Sequence, residues 1–366
     1  MRVSVGGRLV VRLDDELSAS GELDPCPVTS ARGPVDIDIS RQAEVAPSID
    51  LERAGDGGDG WISAFGADGL YLMRQGGGAC VVDGRPGDLP LRVTADAVLP
   101  AWVLMRGVVR PLLQFGLPAH GAGTVHAAAV ARIGAGVLIA GWSESGKTEV
   151  ALALAERGWS VLADKWTVLD DERRMAPFPV RVGIRGWVLE YLPHLRSALP
   201  ARARWRMGTA SRVSRGVERV GGNGGAPLAG AMLDMTRKAC AQGERLSMTL
   251  SELRELYGAF ASEPAHPPVT LVVVLRTAGS GPPVARPLGA QAALRRLRES
   301  ATYERRDGLG LLLRRRFAGG EDAVLRAAAA ERVLLESALS DVPFVEISCP
   351  FPGDPRLVAE LVEARL

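Results

Sequence analysis

Eight consecutive residues carry the clearest chemistry in this chain: Gly141, Trp142, Ser143, Glu144, Ser145, Gly146, Lys147 and Thr148, reading GWSESGKT. Their spacing is G-x-x-x-x-G-K-[ST], the pattern of a loop that wraps a polyphosphate. Glycines let the chain curl until successive backbone N–H groups face one anion, and they keep side chains out of its way. A helix that begins where the loop ends adds unpaired N–H groups and the positive end of its dipole. In such a loop Lys147 reaches the β- and γ-phosphates of a nucleoside triphosphate, with ATP the expected one, and the Thr148 hydroxyl ligates Mg²⁺. Glu149, next on the helix, is expected to favour the helix N-terminus through the dipole.

The chain holds 44 Lys and Arg residues together, yet Lys147, Lys165 and Lys238 are its only lysines. Where Arg is the default cation, a retained Lys points to a need for a compact ammonium. Two of the three fall in the segment around the loop.

The flanking elements are of the right kind to position it. HAAAVAR and GVLIAG read as two apolar strands joined by a Gly-containing turn. KTEVALALAERG follows as a helix stopped near Gly158, and WSVLADKWTVLD returns as extended chain. Strand, loop, helix and strand in that order make a βαβ unit. Downstream, VTLVVVL (269–275) and FVEIS (344–348) read as strands, and 289–300, 321–340 and 354–366 as helices. Residues 246–260 read as a strand and a helical turn, and 184–206 as partly helical. Residues 207–230 are Gly-rich and read as a mobile loop; its Arg212, Arg215 and Arg219 are either a solvated charge cluster or close over phosphates or hold an acidic peptide. Upstream, RLVVRL, GWISAF, GLYLMR and ACVVD are short β-like runs broken by turn signals, and 97–116 reads as a helix.

The stretch 126–168, HAAAVARIGAGVLIAGWSESGKTEVALALAERGWSVLADKWTV, resembles the catalytic domain of HPr kinase/phosphorylase and the related Ser kinases. His126, Gly141 to Thr148, Arg157-Gly158, Trp159 and Ala163-Asp164 stand in that family's positions. The resemblance implies an α/β fold over residues 119–366, a P-loop kinase-like sheet with flanking helices; the short β-like runs upstream read, apart from it, as a small β-rich domain with a linking helix over residues 1–118. It also implies ATP-dependent transfer of a phosphoryl group to a hydroxyl, Ser above all, on a peptide, a carrier protein or a small metabolite.

Asp164 is then the expected Mg²⁺ ligand or aligner of the attacking hydroxyl, and His126 is either its hydrogen-bond partner or a polariser of the substrate, or a structural residue at a strand start. Lys165 departs from the family, which has a second acid there. It either stabilises developing charge or stands as a solvated or salt-bridged side chain, since in a regular strand it would face away from Asp164. A second family motif, Glu-Ile-Arg-Gly, has Gly183-Ile184-Arg185-Gly186 as its nearest match. Asp170, Asp171, Glu172 and Glu190 are the nearby candidates to replace the missing acids. Trp142 is expected to pack on the N-terminal domain or else to stack on a base or substrate.

Composition bounds the rest. A net charge of +2 gives no global field toward nucleic acid or membrane. Four cysteines without CxxC spacing, and four histidines, argue against a structural zinc site and for reduced, cytoplasmic thiols. The apolar stretch 97–120 is interrupted by Arg106 and Arg110, so no membrane span is expected. Homo-oligomerisation is left open. The rival function is a regulatory or peptide-binding module that binds ATP and hydrolyses it slowly or not at all. A transporter- or helicase-type machine is disfavoured because Arg276 follows VTLVVVL where such proteins carry the metal-coordinating acid.

Overall fold

The computed structural model describes residues 1–19, 34–45, 52–56, 61–65, 69–74, 77–84, 89–207, 245–257, 266–313 and 321–366. It is a mixed α/β structure with several mixed sheets and flanking helices. The segment with Arg212, Arg215 and Arg219 lies outside the described residues.

The expected upstream strands are present as β2 (Leu9–Leu13), β5 (Trp61–Phe65), β6 (Gly69–Arg74) and β7 (Ala79–Asp83). With β1 (Arg2–Val5), β3 (Ile37–Gln42), β4 (Glu52–Asp56) and β8 (Leu91–Asp96) they form an eight-stranded sheet in the order β1-β2-β3-β8-β7-β6-β5-β4. Helical chain from Ala101 to His120 follows, with π geometry at Met105–Val109. The core that joins this helical chain to the sheet continues past residue 118. Leu9, Val109 and Leu113 share one buried cluster with Trp166, Val168, Phe178 and Ala301.

The second large sheet has six strands, in the order β12-β10-β11-β17-β19-β18. Its members are β10 (Ala127–Arg132), β11 (Ala135–Gly141), β12 (Ser160–Ala163), β17 (Leu271–Ala278), β18 (Val284–Pro287) and β19 (Phe344–Pro350). β11, β17 and β19 run parallel, and β10 is antiparallel to both β11 and β12. The unit from β11 through the loop to β12 therefore joins two parallel strands that straddle β10.

The central strands are continuously apolar because both faces are covered, as parallel sheets require. Alternation decides which face each residue serves. Val137, Ile139, Leu271 and Val273 pack toward helix α4 (Lys147–Ala155) and the C-terminal helix Pro355–Glu363. Leu138, Ala140, Val272 and Val274 pack toward the helices Ala290–Leu313 and Glu321–Leu339. α4 is buried nearly all round, so it shows no polar stripe.

WSVLADKWTVLD is not one strand. The chain leaves the six-stranded sheet after Ala163, turns at Asp164-Lys165-Trp166, and enters β13 (Thr167–Asp170), which pairs with β9 (Ala122–Val125) in a separate three-stranded sheet.

The helix Ala290–Leu313 is anchored by a buried ion pair. Arg305 binds Glu331 of the next helix, and Glu331 Oε1 accepts the backbone N–H of Thr124 at 2.8 Å. Arg305 also stacks over Trp166, 5.1 Å from the ring centroid. Glu331→Gln keeps the shape but removes the charge that holds Arg305. We expect it to cost about 1–3 kcal/mol of stability, the scale of hydrogen bonds to charged groups, in a urea melt. An unchanged midpoint would mean that this pair anchors nothing.

Candidate functional site: the Gly141–Thr148 loop

The loop leaves β11 at Gly141. A Cβ there would collide with Ser145 Oγ and come within 3.0 Å of Leu275 O, so only glycine lets the chain turn at this point. At the other end Gly146 takes φ +93°, a conformation that costs an L side chain strain, and α4 begins at the next residue. Between them Ser145 is buried, and its Oγ has no hydrogen-bond partner among the described residues.

Lys147 closes the curve. Its Nζ donates to Gly141 O at 2.9 Å and to Trp142 O at 2.8 Å. Burial pushes its pKa down to about 8, although Asp164, Glu304 and Glu149 pull it up. Next on the helix, Thr148 Oγ1 donates to Asp164 Oδ1 at 2.7 Å. Asp164 follows β12 directly and is buried. Burial raises its pKa above the ordinary carboxylate value, against the Thr148 hydroxyl, Lys147 and the backbone N–H groups of Lys165 and Gly183. The weak second-motif match thus does reach the site, through a backbone group. Arg185 of the same segment pairs with Glu144 of the loop at 2.5 Å.

Lys165 does not obey strand alternation. Its φ is +61°, and Asp164 O accepts the Trp166 N–H at 2.6 Å across a tight turn. Lys165 Nζ lies 3.2 Å from Glu304 Oε2, and Glu304 also accepts a hydrogen bond from Ser143 in the loop. Burial alone would raise the Glu304 carboxyl. The Ser143 hydroxyl and Lys165 outweigh that and hold it below its ordinary value. Lys165 is therefore salt-bridged, and to a residue that touches the loop.

His126 does not bond Asp164. It stands just before β10 with its Nδ1 2.7 Å from Ser300 Oγ, and Ser300 Oγ donates to Gly141 O at 3.0 Å. The serine hydrogen being committed to Gly141, His126 Nδ1–H is the donor to Ser300. Burial, with Lys147 nearby, lowers its pKa to about 3, so the ring is neutral at physiological pH. Its ring packs 5.2 Å from that of Trp166.

Two other expectations change. Among the described residues, the ring contact of Trp142 is with the helix Ala290–Leu313 and not with the N-terminal segment. Trp142 is 47% exposed and meets the edge of Tyr303 at 5.5 Å. Glu149 is more than a dipole partner, being only 7% exposed, with burial raising its carboxyl pKa. The proposed replacement acids are engaged away from the loop. Asp170 and Asp171 bind Arg8, Glu172 binds Arg174, and Glu190 lies against Tyr191. Arg276 faces Glu346 at 3.6 Å.

Sequence reasoning missed Ser300 and Glu304. They stand at i and i+4, on one face of their helix. The available signal was a polar Ser and Glu spaced to share the face that also carries Leu297 and Ala293.

The Thr148 hydroxyl and the Asp164 carboxylate are hard oxygen donors already in contact. That set suits Mg²⁺, which takes one or two protein oxygens and completes its shell with phosphate and water. Among the described residues no cluster of three or more His, Cys, Asp or Glu could hold a metal by itself. No helix of the described residues is long and apolar enough to cross a membrane. No protein-family model matches the chain, and no curated protein matches it.

Proposed function

We propose that this chain is an ATP-dependent phosphotransferase that acts on a hydroxyl, Ser above all, of a peptide, carrier protein or small metabolite. The observation that carries the reading is the Thr148–Asp164 contact at the end of a glycine loop whose lysine is folded into the loop's own curve. Phosphoryl transfer asks the protein mainly for positioning and charge. Loop N–H groups and the α4 N-terminus would bind the β- and γ-phosphates, and Lys147 would exchange two backbone carbonyls for phosphate oxygens. Thr148 and Asp164 would hold Mg²⁺, whose contribution is to neutralise charge on the transferred group. Asp164 is also the group placed to orient the acceptor hydroxyl and take its proton. Its raised pKa favours that role. His126, neutral and tied through Ser300 to Gly141 O, positions the loop and carries no proton. Glu304 supplies, from a helix, the second carboxylate that Lys165 displaces from the strand. Incubation with labelled ATP and a panel of Ser-bearing acceptors tests the reading. Label on no acceptor, with Asp164→Asn indistinguishable from the parent, would count against it.

The rival, an ATP-binding regulatory module, is favoured by one observation: a cation at position 165, where the related kinases carry an acid. Lys165→Asp separates the two. In a working kinase it places a carboxylate against Glu304 and removes a cation near the phosphates. Transfer should fall roughly tenfold, less than for an enclosed group because Lys165 is half exposed and screened. In a module that lost its chemistry at this position, ATP hydrolysis should instead rise from near zero. The outcomes differ in sign, and we expect the fall.

A further inference from the structure

A cavity of about 90 Å³ opens beside Gly146, where the loop and α4 meet the end of β19. Phe351 and Trp187 wall it, their rings edge to face at 5.7 Å. Pro282 and Pro355 add flat apolar surface, and Glu149 looks in from α4. We propose that this cavity is the nucleoside subsite of the same ligand, taking the purine ring against Phe351 and Trp187 while Glu149 accepts a hydrogen bond from the nucleoside.

The inference rests on the reading that the loop binds phosphates, and four observations carry it further. The first is position. A Cβ at Gly146 would stand 3.5 Å from the Phe351 ring, so the cavity begins where the loop ends. A nucleotide with phosphates on the loop has its sugar and base within reach of that wall. The second is shape. Whole-ligand pockets run to roughly 300 Å³ or more, so this one suits a single flat ring system with the rest of the ligand elsewhere. The third is Glu149. It is 7% exposed, and its carboxylate accepts from its own backbone N–H but, among the described residues, from no side chain. Arg185 and Lys147 favour its charge without bonding it, so a buried carboxylate is left that a ligand's donor would satisfy directly. The fourth is bracing. Arg185 stacks over Phe351 at 5.5 Å while its guanidinium binds Glu144 of the loop, so the ring wall and the loop are fixed to each other.

Calorimetry on the full chain with Mg-ATP and Mg-tripolyphosphate tests the subsite apart from the phosphate site. We expect ATP to bind about tenfold or more tightly than tripolyphosphate, the scale of one base stacked on an aromatic ring. Phe351→Ala should bring ATP down to the tripolyphosphate level and leave tripolyphosphate itself unchanged. Leu357→Trp, which crowds the cavity from a residue 45% exposed and so spares the core, should do the same if Phe351→Ala fails to fold. Equal binding of the two ligands by the unaltered protein would overturn the subsite and leave the phosphate site standing. Binding of neither would remove both. 2′,3′-Dideoxy-ATP or purine riboside triphosphate losing the gain assigns the Glu149 donor to a sugar hydroxyl or to the base amine, and a full gain with both removes Glu149 from the proposal.

Discussion

Lys147→Ala is expected to drop Mg-ATP affinity by roughly 10³-fold, the loss of two charge-assisted hydrogen bonds worth about 1.5–3 kcal/mol each. The fold should survive. Among the described residues the ammonium donates to Gly141 O and Trp142 O alone, and its burial is a cost that the depressed pKa records. Calorimetry gives the affinity, and a thermal melt of both proteins shows whether the scaffold is intact. Unchanged affinity would remove the central claim about this loop.

The same lysine gives the binding a pH signature. An ordinary Lys titrates near 10.5, whereas Lys147 in the free protein titrates at about 8. Phosphate binding requires the charged form. Affinity should therefore be level below pH 8 and fall by about tenfold per unit above it, once the nucleotide's own phosphates have finished titrating. Stability of the free protein moves the other way. Between pH 8 and 10.5 the unfolded chain holds this proton and the folded chain has released it, so this residue alone makes the fold more stable as pH rises through that window. Affinity and stability curves of opposite slope, both flattened in Lys147→Ala, are the expected result.

Much of this architecture was legible from residue types. HAAAVAR and GVLIAG read as strands, and the structure shows which alternate residues serve which face. The loop's glycines were readable because their roles are local: Gly141 clears Ser145 and Leu275, and Gly146 takes a positive φ. What escaped depends on long-range contact. The turn at Lys165 lies inside a run of strand-forming residues, and only the change of sheet between β12 and β13 enforces it. Ser300 and Glu304 reach the loop across more than 150 positions of sequence. Their i, i+4 spacing on the face of Leu297 and Ala293 is a local signal, but an Arg- and Glu-rich helix reads as solvated until its neighbours are known. For the same reason Asp170, Asp171 and Glu172 looked available and are instead held by Arg8 and Arg174.

Asp164→Asn should separate binding from chemistry. Asparagine preserves the volume and an oxygen for the Thr148 hydroxyl, so nucleotide affinity should stay within about tenfold of the parent. What it removes is the charge that holds Mg²⁺ and the base that takes the acceptor's proton, a positioned group worth about 10²–10⁴ in turnover. The kcat/KM profile adds a check that a merely structural role would not meet. Burial raises the Asp164 carboxyl above its ordinary value in the free protein, and the ionised form is the active one. Activity should therefore fall on the acid side at a pH above that of an ordinary Asp. Asp164→Asn should lose that limb together with the rate. Near-normal turnover in Asp164→Asn would move the role to Glu304, the other carboxylate in contact with the loop. The double variant Asp164→Asn/Glu304→Gln would then have to be silent for phosphotransfer to stand at all.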